Sequence, residues 1–330
     1  MLVSVVINPK AGAVNIGLLQ EKISQALFRC RLHFLIAETR EASLEFVKNE
    51  IQNKTDAFLI CGGDGTINET LQMIMTLHQV GEIPPISLIS SGTANDLSHE
   101  LGISEKVNIA ARMILEGKER KIDVIEVESM GVKKYMLTNG GFGIPAMTSD
   151  KANQLRSFLQ LQSINSEVNP FFRGLSKITH RAVKKLGSEV YSALLAQSLL
   201  KWDQKNWNLE VEFEDGSKKR TQSPFLLINN QPYLGRKYLI APFTNNSDGE
   251  MNLTMIESHN MATQILSVLK VLRGKLRESS VVNTKEKKSF TVRTLNNKRL
   301  LTFFGDGEIL FRNAEEVKFK CLHQKLTVLV

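Results

Sequence analysis

The chain has 330 residues, more than one typical core of about 150 residues and enough for two domains. Hydrophobic residues at 42% and charged residues at 23% are ordinary for a globular protein that buries a real core. Lys and Arg outnumber Asp and Glu by 42 to 34, a net charge of +8; this suits an anionic partner (nucleotide, nucleic acid or acidic lipid surface) and equally a mildly basic soluble protein.

Cys30, Cys61 and Cys321 form no C-x-x-C pair, which argues against a disulfide framework or a structural zinc site and for a reducing compartment. The N-terminus has no basic leader, and no apolar run approaches the roughly 18 residues of a membrane span. The expected location is the cytoplasm, with membrane contact only at the periphery.

Leu2–Ile7 reads as a strand followed by a turn at Asn8–Gly12. Ile16–Phe28 has helical periodicity, Leu32–Ala37 reads as a strand and Glu41–Ile51 as a helix. Asp56–Cys61 is an apolar strand ending in Gly62-Gly63-Asp64-Gly65, with a helix over Thr66–Leu77. Ile86–Ile89 is a strand running into Ser90-Ser91-Gly92-Thr93. This βαβα order with short continuous apolar strands predicts a parallel sheet covered on both faces.

From about residue 120 the pattern changes to period-two strands. They are expected over Lys121–Glu128, Lys133–Asn139, Trp207–Phe213, Phe225–Asn229, Met251–Ile256, Ser289–Arg293, Arg299–Phe304 and Val317–Cys321. Helical insertions interrupt them at about Ala146–Trp202 and at His259–Leu276. The expected architecture is an α/β domain over residues 1–120 and a mainly antiparallel β-sandwich over 121–310. The segment at about 310–330 is a candidate for a return to the first domain.

Glycines in Gly62-Gly63-Asp64-Gly65 let the backbone approach a ligand closely, and the helix that follows offers free N–H groups to phosphate. An aspartate there repels bare phosphate, but it makes sense if it holds Mg²⁺ or takes a proton from an attacking hydroxyl. Alone, the motif reads equally well as a tight turn with an Asp cap. Ser90–Asp96 and Asn8–Gly12 repeat the arrangement after other strands, so three polar turns would line one edge of the sheet, where ligands of open α/β sheets bind. None matches the P-loop or the dinucleotide fingerprint.

The trio Asn8–Gly12, Gly62–Glu69 and Ser91–Asp96 resembles the diacylglycerol-kinase catalytic domain of lipid kinases, the family of bacterial diacylglycerol kinases and of sphingosine and ceramide kinases. The likeness continues through Asn139–Gly143, Asn229-Asn230, Ala241-Pro242, Asp248–Asn252 and Asp306-Gly307-Glu308. It implies an ATP- and Mg²⁺-dependent kinase acting on a lipid hydroxyl at an anionic membrane surface, and it leaves a homodimer open. By the resemblance, Asn8, Lys10 and Gly12 contact the ATP phosphates and Thr39 helps hold the nucleotide. Gly62, Gly63, Asp64, Gly65, Thr66, Asn68 and Glu69 wrap the triphosphate, with Asp64 organising catalytic Mg²⁺. Ser91 belongs to the third turn, where Thr93 reaches the phosphates and Asn95 and Asp96 brace it. Asp306 and Glu308 form an acidic pair that supplies the general base, with Glu308 preferred. Without the family, Gly305–Glu308 reads as a hairpin turn. Asp248, with backbone carbonyls of Asn245 and Glu250, resembles a second, structural Mg²⁺ site; a metal-free polar turn is the alternative.

Asn252 stands where many members carry Asp, and the insertion after Gly143 is unusually long, with Phe171-Phe172-Arg173 and the bases Lys177, Arg181, Lys184 and Lys185. It reads as a packed surface helix with solvated lysines, or as a cover for a lipid cleft. The six histidines show no metal spacing, no G-x-S-x-G element occurs, and the basic balance without clustered aromatics gives little support for nucleic acid. The competing functions are a soluble kinase resembling NAD kinase and a catalytically silent lipid- or nucleotide-binding regulator.

Overall fold

Strand β1 (Leu2–Ile7) pairs in parallel with β2 (Arg31–Ile36) and β3 (Ala57–Gly62), and β3 pairs in parallel with β4 (Ile86–Ser90). Every residue of β3 is buried, as a central strand covered on both faces requires. The computed structural model describes residues 1–9, 15–77, 83–92, 95–155, 193–195, 197–202, 207–234, 238–257, 261–272, 275, 282–296 and 299–330.

Helix α1 (Ile16–Ala26) starts at Asn15, whose side chain accepts the Leu18 N–H. Helix α2 (Arg40–Gln52) starts at Thr39, which accepts the Ala42 N–H. Such caps satisfy N–H groups the first helical turn leaves free. Helix α3 (Asp64–Leu77) begins two residues earlier than the pattern predicts, so Asp64 is its first residue. Two helices absent from the prediction follow β4: α4 (Asp96–Glu100) and α5 (Val107–Glu116). Helix α1 packs on α5 and α2 on α3.

The remaining strands are β5 (Glu119–Ser129), β6 (Val132–Met136), β7 (Asn139–Gly143), β8 (Leu209–Phe213), β9 (Lys218–Thr221), β10 (Phe225–Asn229), β11 (Tyr233–Leu234), β12 (Tyr238–Leu239), β13 (Met251–Ile256), β14 (Val282–Lys287), β15 (Ser289–Thr294), β16 (Leu301–Gly305), β17 (Glu308–Ala314) and β18 (Glu316–Leu329). A six-stranded antiparallel sheet runs β14-β13-β10-β7-β16-β17. The larger sheet runs β2-β1-β3-β4-β18-β15-β8-β9, with β5 on β18 and β6 on β5. Phe142, Ile228, Leu253 and Phe303 of the smaller sheet share a buried core with Val211, Val292 and Phe319 of the larger. The architecture is an α/β N-terminal domain, its sheet mostly parallel, followed by an antiparallel β-sandwich.

The run Lys133–Asn139, expected as one strand, is broken at Leu137-Thr138 into β6 and β7. Both backbone N–H groups at the break donate to Asp306 instead of a neighbouring strand. The insertion's middle, 156–192, lies outside the described residues, and with it Phe171–Arg173 and the basic cluster; residues 144–155 and the described part of 193–200 are helical.

Candidate active site

The three polar turns meet at the carboxyl ends of β1, β3 and β4. Asn8 N–H donates to Cys61 O (3.1 Å) and Ser91 N–H to Gly62 O (2.9 Å), so each outer turn is tied to the central one. Asn8 Nδ2 donates to Thr66 Oγ1 at 2.9 Å. A Cβ on Gly92 would lie 2.6 Å from Gly63 Cα and 2.6 Å from Asn95 Oδ1, so only glycine allows the two turns to touch. Lys10, Gly12 and Thr93 lie outside the described residues.

Asp64 crosses from α3 to the third turn. Its carboxylate accepts the N–H of Asn95 (2.8 Å) and of Asp96 (2.9 Å). Burial, then the nearby charges of Asp96 and Asp306, outweigh these hydrogen bonds and push its pKa up to about 6. A carboxylate in that setting lacks positive charge. Asn95 Oδ1, buried and without a hydrogen-bond partner, adds a hard oxygen at the same turn. These groups fit a divalent cation, while no three His, Cys, Asp or Glu side chains converge into a ready cage among the described residues. Mg²⁺ suits such a site, because it commonly takes one or two carboxylates and fills its shell with phosphate and water.

Asp306 and Gly307 turn β16 into β17 with φ of +53° and +82°, the left-handed pair of a two-residue hairpin. Asp306 is buried and accepts from Asn68 Nδ2 (2.7 Å), Leu137 N–H (3.0 Å), Thr138 N–H (2.8 Å) and Thr138 Oγ1 (2.8 Å). Burial raises its pKa against the pull of these bonds. Glu308 is exposed, and its Oε1 stands 3.5 Å from where a Gly65 Cβ would be, against the first turn of α3. Asn153 Nδ2 donates to Gly307 O (3.0 Å) and to Glu308 Oε2 (3.3 Å), and Ser149 Oγ donates to Gly307 O (3.0 Å).

Beside these turns a cavity of about 230 Å³ opens, lined in part by Asn8, Thr39, Thr66 and Glu69, with Arg40 and Ser43. Four residues expected at the nucleotide thus share one hollow at the ends of β1 and β2.

The Asn245–Glu250 turn is held by its own side chains. Asn245 Oδ1 accepts from Ser247 N–H (3.2 Å) and Oγ (2.9 Å), and Asp248 Oδ1 accepts the Glu250 N–H (2.9 Å). Beneath it, buried Asp123 accepts the Gly249 N–H (2.7 Å) and the Gln324 N–H (2.6 Å). Asn230 Nδ2 donates to the carbonyls of Asp123 (3.0 Å) and Leu137 (2.8 Å), linking this turn to the Asp306 cradle. Gln72 and Asn68 of α3 both donate to Tyr135 O on β6, at 2.5 and 3.2 Å. The bracing by Gln72 and Asn153 has no signal in the sequence, and the Asn229-Asn230 pair marks Asn230 without giving it this role.

Residues 3–127 match the family model of the diacylglycerol kinase catalytic domain, and residues 174–330 that of the YegS C-terminal NAD kinase beta sandwich-like domain. A diacylglycerol kinase of Mycobacterium tuberculosis (strain ATCC 25618 / H37Rv) is 31% identical over 104 residues, 31% of this chain and 32% of that one. A diacylglycerol kinase of Bacillus subtilis (strain 168) is 24% identical over 232 residues, 70% of this chain and 65% of that one. The matched stretches span less than two thirds of either relative. The crystal structure of a diacylglycerol kinase from Bacillus anthracis str. Sterne superposes with a TM-score of 0.66 at 18% identity, covering 99% of this chain and 96% of that one. That likeness shows the fold.

Proposed function

We propose that this chain, which belongs to the diacylglycerol kinase catalytic domain family, transfers the γ-phosphoryl group of ATP to a lipid hydroxyl at a membrane surface. What supports the reading most is that Glu308 stands against Gly65, one residue from Asp64, at the start of a helix that can receive phosphate. Acceptor-side base and phosphate cradle thereby adjoin.

The backbone of Gly62–Gly65 and the first N–H groups of α3 bind phosphate oxygens, and the Ser91-Gly92 turn closes over them. Asp64 and Asn95 would hold a divalent cation, which when bound would neutralise charge on the phosphoryl group. Glu308 accepts the hydroxyl proton as the new O–P bond forms and the bond from the γ-phosphorus to the β–γ bridging oxygen breaks, releasing ADP, and Asn153 orients its carboxylate. Asp306, wrapped by four donors, is a positioning residue that sets the hairpin under Glu308. No helix among the described residues is long and apolar enough to cross a membrane, so the acceptor lipid is reached from the bilayer surface in this reading.

The test is transfer of radiolabelled γ-phosphate from ATP, with Mg²⁺, to a panel of lipids in mixed micelles, diacylglycerol first, with NAD as control. Label in one lipid class is the expected outcome. Label in NAD alone moves the chain to a soluble nucleotide kinase, and no label anywhere with ATP binding intact defeats the proposal.

A further inference from the structure

Helix Met261–Leu272 is apolar on two sides: Val268 is buried in the sandwich core with Ile265 packed against it, while leucines stand exposed on the other side. Its inner side carries Gln264 and Ser267, each 3% exposed, beside Val268; its outer side carries Leu266 at 60% and Leu269 at 42% exposed. Positions 262, 266 and 269 recur at i, i+4 and i+7 and share one face. A helix facing water ordinarily turns its apolar stripe inward. The helix packs on β12 and β13. The outer leucines face solvent.

The helix is linked to the candidate site through a chain of contacts. It packs on β12, which pairs with β11; β11 contacts α4, with Tyr233 and His99 edge to face at 6.0 Å. Helix α4 opens at Asp96, whose N–H is bound to Asp64. At the helix's far end Lys270 adjoins the leucine stripe and exposed Lys275 follows it. Leucines rimmed by ammonium groups match an anionic phospholipid interface, with acyl chains below and negative headgroups above. Two leucines fall well short of the roughly 800 Å² per partner of a stable protein interface, which disfavours a second copy as occupant.

We propose that helix Met261–Leu272 docks the protein on an anionic bilayer, with Leu266 and Leu269 entering the interface and Lys270 and Lys275 against the headgroups. The choice of a bilayer as occupant rests on the lipid-kinase reading.

The test is co-sedimentation of the full chain with phosphatidylserine–phosphatidylcholine vesicles, without ATP or acceptor lipid. Wild type binds, and binding falls as salt rises. The double variant Leu266→Ser, Leu269→Ser loses about tenfold or more in partitioning, the scale expected for removing two buried leucines, with an unchanged thermal melt. Equal binding of the two proteins, or binding by neither, overturns the proposal. So does a lipid-free dimer that the double variant splits, which assigns the face to a second copy. Should the double variant not fold, Leu269→Trp replaces it: quenching by brominated acyl chains upholds insertion, and its absence overturns it. Leucine-dependent vesicle binding without phosphorylation of any lipid leaves the docking surface and defeats the kinase reading. Phosphorylation of short-chain diacylglycerol without vesicle binding does the reverse.

Discussion

Asp306 and Glu308 stand two residues apart on one hairpin, and the hairpin gives them opposite surroundings. Asp306 is buried under four donors, whereas Glu308 is exposed beside Gly65. A general base needs a lone pair open to substrate, so the two acids separate by experiment. Glu308→Gln is expected to lower kcat by about 10²- to 10⁴-fold with an unchanged melting temperature. Asp306→Ala strands buried N–H groups and is expected to cost on the order of 3 kcal/mol in urea unfolding. Loss of turnover in Asp306→Ala at full stability would move the base to Asp306. Asp64 makes the stability depend on pH. Its folded pKa of about 6 lies above the ordinary 3.8, so the folded state binds more protons between these values. The stability this contributes is present below about pH 4 and is lost as pH rises through about 6, in all about 3 kcal/mol. Thermal melts of the nucleotide-free protein should show that slope in wild type and lack it in Asp64→Asn. Added MgATP should raise the wild-type melting temperature more at about pH 8 than at about pH 5, because in the proposed mechanism it is the ionised carboxylate that would receive the cation.

The turns of β3 and β4 work only as a pair. Gly63 and Gly92 touch backbone to backbone, and a methyl group on Gly92 would sit 2.6 Å from Gly63 Cα. Gly92→Ala is therefore expected to part the turns, costing about 1–3 kcal/mol and raising the KM for ATP about tenfold, the scale set by a lost 1.4 kcal/mol of binding; an unchanged KM in steady-state kinetics would count against the shared cradle. These turns were legible in the sequence because each is local: a buried apolar strand, then glycines and a polar residue within a few positions. Strands β10 and β13 were legible for the same reason, with strand patterns ending where the elements end. The break between β6 and β7 was not, because its cause is the carboxylate of Asp306, 168 residues beyond Thr138. Nor was the tie between Asn68 and Asp306, which spans 238 residues. Helix α5 has a local signal in Ala110, Ala111 and Ile114 and in its left-handed Gly117 cap, but the change to period-two strands only a few residues later masks it.

Strand β18 runs through both halves of the molecule, as does β5, which places Ile122 and Val124 in the α/β core and Ile125 and Val127 in the sandwich core. The first part of β18 places Val317, Phe319 and Cys321 in the sandwich core, and its last part places Leu326, Val328 and Leu329 in the α/β core. Along its length it pairs with β15, β5 and β4, the last at Val328 opposite Ile86. The helix that starts at Asp64 is in turn fixed to β6 and to the Asp306 hairpin through Asn68 and Gln72. Loss of either core therefore frees a strand and a hydrogen-bonded brace that the other core needs, and the two should melt together. A single calorimetric transition is expected, with calorimetric and van't Hoff enthalpies equal. Phe319→Ala, in the sandwich core, should cost about 3–5 kcal/mol, and Val328→Ala, in the α/β core, about 2 kcal/mol. Each should shift the whole transition rather than split it. Two resolved peaks, with Val328→Ala moving only one of them, would mean that the halves unfold independently; the phosphate cradle and the acidic hairpin would then be assembled by docking of two separate domains rather than by one cooperative fold.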